Sequence, residues 1–192
     1  IQDADMKALR KAVKTRLNFE MANAAEIVRF ALRLRPKIVC LVPEKREELT
    51  TEGGLNVVEQ LREISSTRKR MNKASIEVSL FIDPELTQVE AAAKSGAQFI
   101  ELHTGAYADH FNNSRKRRRE LDRLIAAASH AHVLGLRVNA GHGLNYNNLA
   151  DLLTVPHLEE LNIGHSIVSR AVSVGLTKAV KDMLRLMKGY SG

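Results

Sequence analysis

Six times along this chain a short apolar run gives way to a longer stretch whose apolar residues recur at three and four. The strand-like runs lie in RLNFEM, KIVCLV, IEVSLFID, AQFIELHTG, LRVNAGHG and LEELNIGHS. Between the first two, AAEIVRFALRLR puts Ile27, Phe30, Ala31 and Leu34 on one helical stripe, with Asn23 placed to cap it and Pro36 to close it. Further helices are predicted from Leu55 to about Asn72, from Asp83-Pro84 through Ala93, and over about Ser114 to Leu134, with a final amphipathic one running to about Met187. Alternation of this kind implies a parallel sheet with right-handed crossovers.

Polar residues collect where each strand ends: Glu20, Glu44, Asp83, Glu101 with His103, His142 and His165. In a (β/α)8 barrel that face carries the active site, and in an open doubly wound sheet the crevice lies there too. No G-x-G-x-x-G turn follows the first strand or any other, so the barrel is favoured. The expected fold is α/β, a (β/α)8 TIM barrel with strands 3–8 present and the first two βα units absent. The expected domain is a single partial barrel over residues 1–192. The chain opens on Ile1 rather than methionine, which fits that expectation.

The charge balance narrows the partners. A formal net charge of +7 suits anionic small molecules, phosphates especially, as well as it suits nucleic acid. Aromatic residues make up only 4% and tryptophan is missing, which argues against a base-stacking surface. The five consecutive cations Arg115 to Arg119 read as a solvated helix start, although cations oppose the helix dipole there and the sequence offers nothing to offset it. No apolar run has the length of a membrane span. Cys40 is the only cysteine and sits in an apolar strand, so it reads as a core residue in a reducing cytoplasm.

Three stretches carry chemistry. In NAGHGLNYNN, His142 stands between Gly141 and Gly143 where a buried strand ends, a pattern expected where the backbone must come close to something. In NIGHSIVSRAV, the backbone N–H groups of Gly164, His165 and Ser166 fall at a helix N-terminus, where they can cradle an anion; the plainer reading is a turn glycine followed by a serine cap. In FIELHTG, Glu101 and His103 lie two apart on one side of a strand, as an acid–base pair, a polar network or half of a metal cluster with His142 and His165. Glu20, after Phe19, is either a general base with its pKa raised by apolar neighbours or a solvated loop carboxylate.

Taken in order, LNFEMA, CLVPEKREELTTEGGL, VSLFID, FIELHTGAYAD, LRVNAGHGLNYNN and ELNIGHSIVSRAV resemble the pyridoxine 5′-phosphate synthase family over essentially the whole chain. The resemblance implies a barrel enzyme that condenses 1-deoxy-D-xylulose 5-phosphate with 3-amino-2-oxopropyl phosphate and releases pyridoxine 5′-phosphate, inorganic phosphate and water. It implies no cofactor, no metal, no nucleic-acid or membrane partner, and a homo-octamer. Carried over by motif, Glu20 is the general base and His142 the proton donor. Thr50 contacts the deoxyxylulose phosphate, while Gly143, Gly164 and His165 hold the amino-ketone phosphate. Glu101 and His103 line the pocket.

The family pattern begins with Asn-x-Asp-His and His-x-Arg strands that have no match here. The expectation is therefore that about 50 residues, two βα units' worth, are lacking. A chain so truncated would be poorly stable and inactive. The competing enzyme reading is a metal-dependent barrel aldolase or epimerase acting on sugar phosphates.

Overall fold

A computed structural model describes residues 1–44 and 53–190. Its strands are β1 (Asn18–Met21), β2 (Ile38–Leu41), β3 (Glu77–Ile82), β4 (Phe99–His103), β5 (Arg137–Gly141) and β6 (Leu158–Asn162). The helices are α1 (Asp3–Ala12), α2 (Ala25–Leu34), α3 (Leu61–Lys73), α4 (Leu86–Ser95), α5 (Gly105–Asp109), α6 (Ser114–Val133), α7 (Leu149–Leu152), α8 (His165–Val174) and α9 (Leu176–Leu186). The six strands form one parallel sheet in the order β1-β2-β3-β4-β5-β6. A doubly wound sheet would reverse this order at its switch point, and here there is no reversal.

The sheet curls. Arg16, just before β1, forms an ion pair with Glu160 of β6, and its guanidinium lies 5.7 Å from the centre of the Phe99 ring. In a flat sheet the first and sixth strands would stand roughly 24 Å apart, far beyond the reach of an ion pair. Curling gives the strands two different faces. Val39, Leu41, Val78, Leu80, Ile100, Leu102 and Val138 are buried in one apolar cluster with Ile64 and Met71 of α3, Val89 and Ala92 of α4, and Leu124, Ala127, Ala128 and Ala131 of α6. The alternate residues face inward and are mostly polar: Glu20 aligns with Cys40, Cys40 with Ser79, and Glu101 with Asn139. All four residues of β2 are buried, which accounts for the unbroken apolar run KIVCLV. Cys40 is fully buried as expected; burial and then the nearby Glu101 charge push its thiol well above the usual range, so it stays protonated.

Several local expectations shift. Asn23 does not cap α2, whose N-cap is Ala24; instead its Oδ1 accepts from the Thr67 hydroxyl at 2.7 Å. The helix expected from Leu55 begins only at Leu61; Leu55 instead pairs with β3, its N–H donating to the Phe81 carbonyl at 2.8 Å. The final helix is two, broken at Gly175 with φ +81°, and α8 buries none of its residues. The basic run does start α6, and the structure supplies the missing compensation. Asn113 caps the helix by accepting from the Lys116 N–H at 3.0 Å. Carboxylates from other turns and elements answer the cations: Asp151 at 3.2 Å from Arg117, and Asp122 at 2.9 Å from Arg118. Among the described residues no helix is long and apolar enough to cross a membrane.

Candidate active site

A cavity of about 990 Å³ opens at the C-terminal ends of the strands. It is lined by Asn18 and Glu20 of β1, Glu101 of β4, His142 and Gly143 after β5, Asn162 of β6, and Gly164, His165 and Ser166 at the start of α8. Seven of the residues singled out in the sequence thus meet on one surface, drawn from β1, β4 and the segments that follow β5 and β6. Thr50 lies outside the described residues. His103 does not line this cavity but stands behind His142, with ring centres 4.8 Å apart.

Glu101 forms the floor. It is 4% exposed, accepts from the Asn162 side-chain amide at 2.7 Å, and faces the Cys40 thiol at 3.7 Å. Burial pushes its carboxyl up to about 7, against the pull of the Asn162 hydrogen bond and with a further push from the Glu20 charge. Glu20 is exposed, whereas Glu101 is buried. A group titrating near neutrality can both give and take a proton at physiological pH.

The loop after β5 is held from several sides. His142 has φ +82°, a left-handed conformation that a side chain rarely adopts, and Gly143 follows at +76°. The glycines on either side of His142 serve the protein's own packing. A β-carbon at residue 141 would lie 2.4 Å from the Glu101 Oε1, and one at residue 143 would lie 2.6 Å from the Ala108 methyl. Asn148 donates to the Gly143 carbonyl at 3.1 Å and accepts from the Asn145 N–H at 2.8 Å, so the LNYNN stretch is a set of loop ties. Ser166 donates to the Leu144 carbonyl at 2.8 Å rather than capping α8, whose N-cap is Gly164.

Behind His142, the His103 Nδ1 meets the Asp83 carboxylate at 3.1 Å, which sets the orientation of the ring. Asp83 is 1% exposed and also accepts from the Gly54 N–H at 3.2 Å. The Phe81 ring packs edge-on against His103 at 5.0 Å. Glu101 and His103 are therefore not one acid–base pair: one is the floor of the cavity, the other a wall behind it. Among the described residues no three of His, Cys, Asp and Glu converge to hold a metal ion.

The loop after β6 differs in kind. Gly164 and His165 are exposed, and a β-carbon at residue 164 would meet nothing within 4 Å. The first N–H groups of α8, a helix of ten residues, have no partner within the helix, and the cavity is lined by Gly164, His165 and Ser166 at that end. Sequence reasoning missed Asn162 and Asn148, and marked Asp83 only as one of the polar residues at the strand ends. Asn162 opens NIGH, so it too stood at a strand end where polar residues had already been noticed.

The family described as "Pyridoxal phosphate biosynthesis protein PdxJ" matches residues 1–189. The pyridoxine 5′-phosphate synthase of Akkermansia muciniphila is 57% identical over 95% of this chain and 74% of its own length. That of Pelobacter propionicus is 53% identical over 98% of this chain and 78% of its own length. Among solved structures, the 3-keto-L-gulonate-6-phosphate decarboxylase of Vibrio cholerae superposes with a TM-score of 0.68 over 99% of this chain and 80% of its own, at 12% identity. A putative phosphonomutase from Burkholderia cenocepacia superposes at 0.62 over 95% and 77%, at 15% identity. At that identity the two structures show the fold alone. The family match begins at residue 1 and lends no support to the expected loss of a leading family segment.

Proposed function

The chain belongs to the PdxJ family of pyridoxal phosphate biosynthesis proteins, and from that premise we propose that it is a pyridoxine 5′-phosphate synthase. It condenses 1-deoxy-D-xylulose 5-phosphate with 3-amino-2-oxopropyl phosphate and closes the pyridine ring, with release of phosphate and water. On the barrel reading, residues 1–192 are one domain, and the curled sheet supplies strands three to eight of an eight-stranded wall. β1 and β6 then present the edges at which such a wall would close.

The observation that carries the reading is the shared cavity, where a carboxylate, an imidazole, a protonatable buried carboxyl and a helix N-terminus face one another. Condensing an amine with a ketone and aromatising the ring require protons to leave carbon and to reach departing oxygens. Glu20 takes a proton as general base, and His142 delivers one to a leaving oxygen. Glu101, which burial holds near neutrality, exchanges a proton at the floor. The N–H groups of Gly164 and His165, with Gly143, hold the phosphate of the amino-ketone, and the α8 dipole favours its charge. Thr50 contacts the other phosphate.

Glu20→Gln and His142→Asn test the assignment. Each should lower kcat by about 10²–10⁴-fold with KM little changed, the usual range for loss of a general acid or base. Near-normal turnover removes that residue from the chemistry; a change confined to KM makes it a binding residue. The protein is further proposed to be a homo-oligomer, up to the octamer that the resemblance implies. Val168, Val172, Leu176 and Leu184 leave an apolar face on α8 and α9 between 58% and 87% exposed, which another copy would cover. Light scattering that returns a monomer mass at assay concentration would refute this.

A further inference from the structure

We propose that Thr104 is a positioning residue for His142, acting through the backbone and never touching substrate. The inference rests on the reading of His142 as a proton donor.

His142 is a residue with a β-carbon held at φ +82°. Left alone, the chain would leave that conformation, so something must hold it. Thr104 is fully buried at the end of β4, next to the loop. Its N–H donates to the Gly141 carbonyl at 2.9 Å. Its hydroxyl donates to the same carbonyl at 2.7 Å and to the His142 carbonyl at 2.5 Å, one proton shared between two acceptors.

Those two carbonyls belong to the two peptide planes that flank the α-carbon of residue 142. Fixing both planes fixes φ and ψ between them, and so the direction of the bond to the imidazole. The ring stays exposed, with the His103 and Phe81 rings packed against it. Thr104 is also the residue before α5, where a threonine hydroxyl ordinarily accepts from an N–H of its own helix. α5 has no such cap. The hydroxyl proton is committed to the neighbouring loop instead, which is the placement expected if its task is to hold residue 142. Thr104 does not line the cavity, which separates it from the groups that meet substrate.

The test is a series in the full-chain enzyme: Thr104→Val, Thr104→Ser, His142→Asn, and the double variant Thr104→Val/His142→Asn. Valine keeps the shape and loses the hydroxyl; serine keeps the hydroxyl. Thr104→Val should lower kcat roughly 10- to 100-fold with KM within about twofold, as expected when a reacting group is displaced. Thr104→Ser should recover to within about threefold of the parent rate, which a packing role for the methyl would not predict. The double variant should be no slower than His142→Asn within about threefold, because residues acting as one unit are not additive. Thr104→Ala carries the same expectation if the valine variant does not fold. A Thr104→Val or Thr104→Ala enzyme with parental kcat, while His142→Asn is slow, overturns the inference. So does a serine variant as slow as valine, or a double variant slower by the product of the two single effects. Full turnover by His142→Asn would instead overturn the reading of His142, and this inference with it.

Discussion

The loops that follow β5 and β6 face each other across one cavity and are built on opposite plans. The β5 loop is clamped: Thr104, Asn148 and Ser166 all hold its carbonyls, and two successive residues sit in the left-handed region. The β6 loop is open: Gly164 and His165 are exposed, and the helix it enters buries nothing. The difference follows from the chemistry each loop would serve. A proton donor must be aimed to within a fraction of an ångström, and rigid neighbours supply the aim. A phosphate is a large dianion satisfied by a fan of N–H groups, and these are useful only if left uncovered. Rigidity in one loop and accessibility in the other are two answers to two different demands within one site.

Matched glycine substitutions should expose this contrast most strongly. Gly143→Ala must place a methyl at φ +76° and 2.6 Å from the Ala108 methyl. Strain of this kind costs on the order of 1–3 kcal/mol, and the same displacement of His142 should lower kcat by about 10²-fold. Gly164→Ala meets open space at an ordinary φ of −107°, so its melting temperature should hold and only KM should rise, by less than about tenfold. Thermal melts and steady-state kinetics on the pair check both. Equal losses in the two variants would erase the distinction between clamped and open loops.

A smaller effect sharpens the comparison at the floor that both loops share. Glu101 underlies Gly141 and is bonded to Asn162, and burial raises its carboxyl from the ordinary 4.5 to about 7. Between those two values the folded state holds a proton that the unfolded chain has lost. The native state therefore binds more protons, and stability falls as pH rises through that window, then levels off above it. The full excursion is on the order of 3 kcal/mol. Glu101→Gln should flatten the profile of melting temperature between pH 4.5 and 7 relative to the parent. An unchanged slope would mean that Glu101 is ionised throughout and that the floor carries a fixed negative charge.

Much of this was legible in advance, and the successes share a cause. Strand and helix periods are local, so KIVCLV, LRVNAGHG and the stripe through Ile27, Phe30 and Ala31 announced β2, β5 and α2. The polar ends of the strands announced where the cavity would open. Caps and breaks were harder, because they turn on single side chains with competing partners. Asn23 could have capped α2 but bonds Thr67, forty-four residues away. Ser166 could have capped α8 but reaches Leu144. The basic start of α6 looked uncompensated because Asp151, which answers Arg117, comes from α7.

Local pattern was thus enough for the alternation of elements, the parallel sheet and the candidate residues Glu20, Glu101, His142, Gly143, Gly164 and His165, since each depends on spacing along the chain. Folding in three dimensions was needed to say which carboxyl would be buried, because Glu20 and Glu101 both stand at strand ends in the sequence and differ in how far the curled sheet encloses them. It was also needed to show that Arg16 meets Glu160, that His103 pairs with Asp83 rather than Glu101, and that Thr104 holds His142. Each of those contacts joins elements brought together by the curvature and register of the sheet, and neither quantity is written in any local stretch of residues.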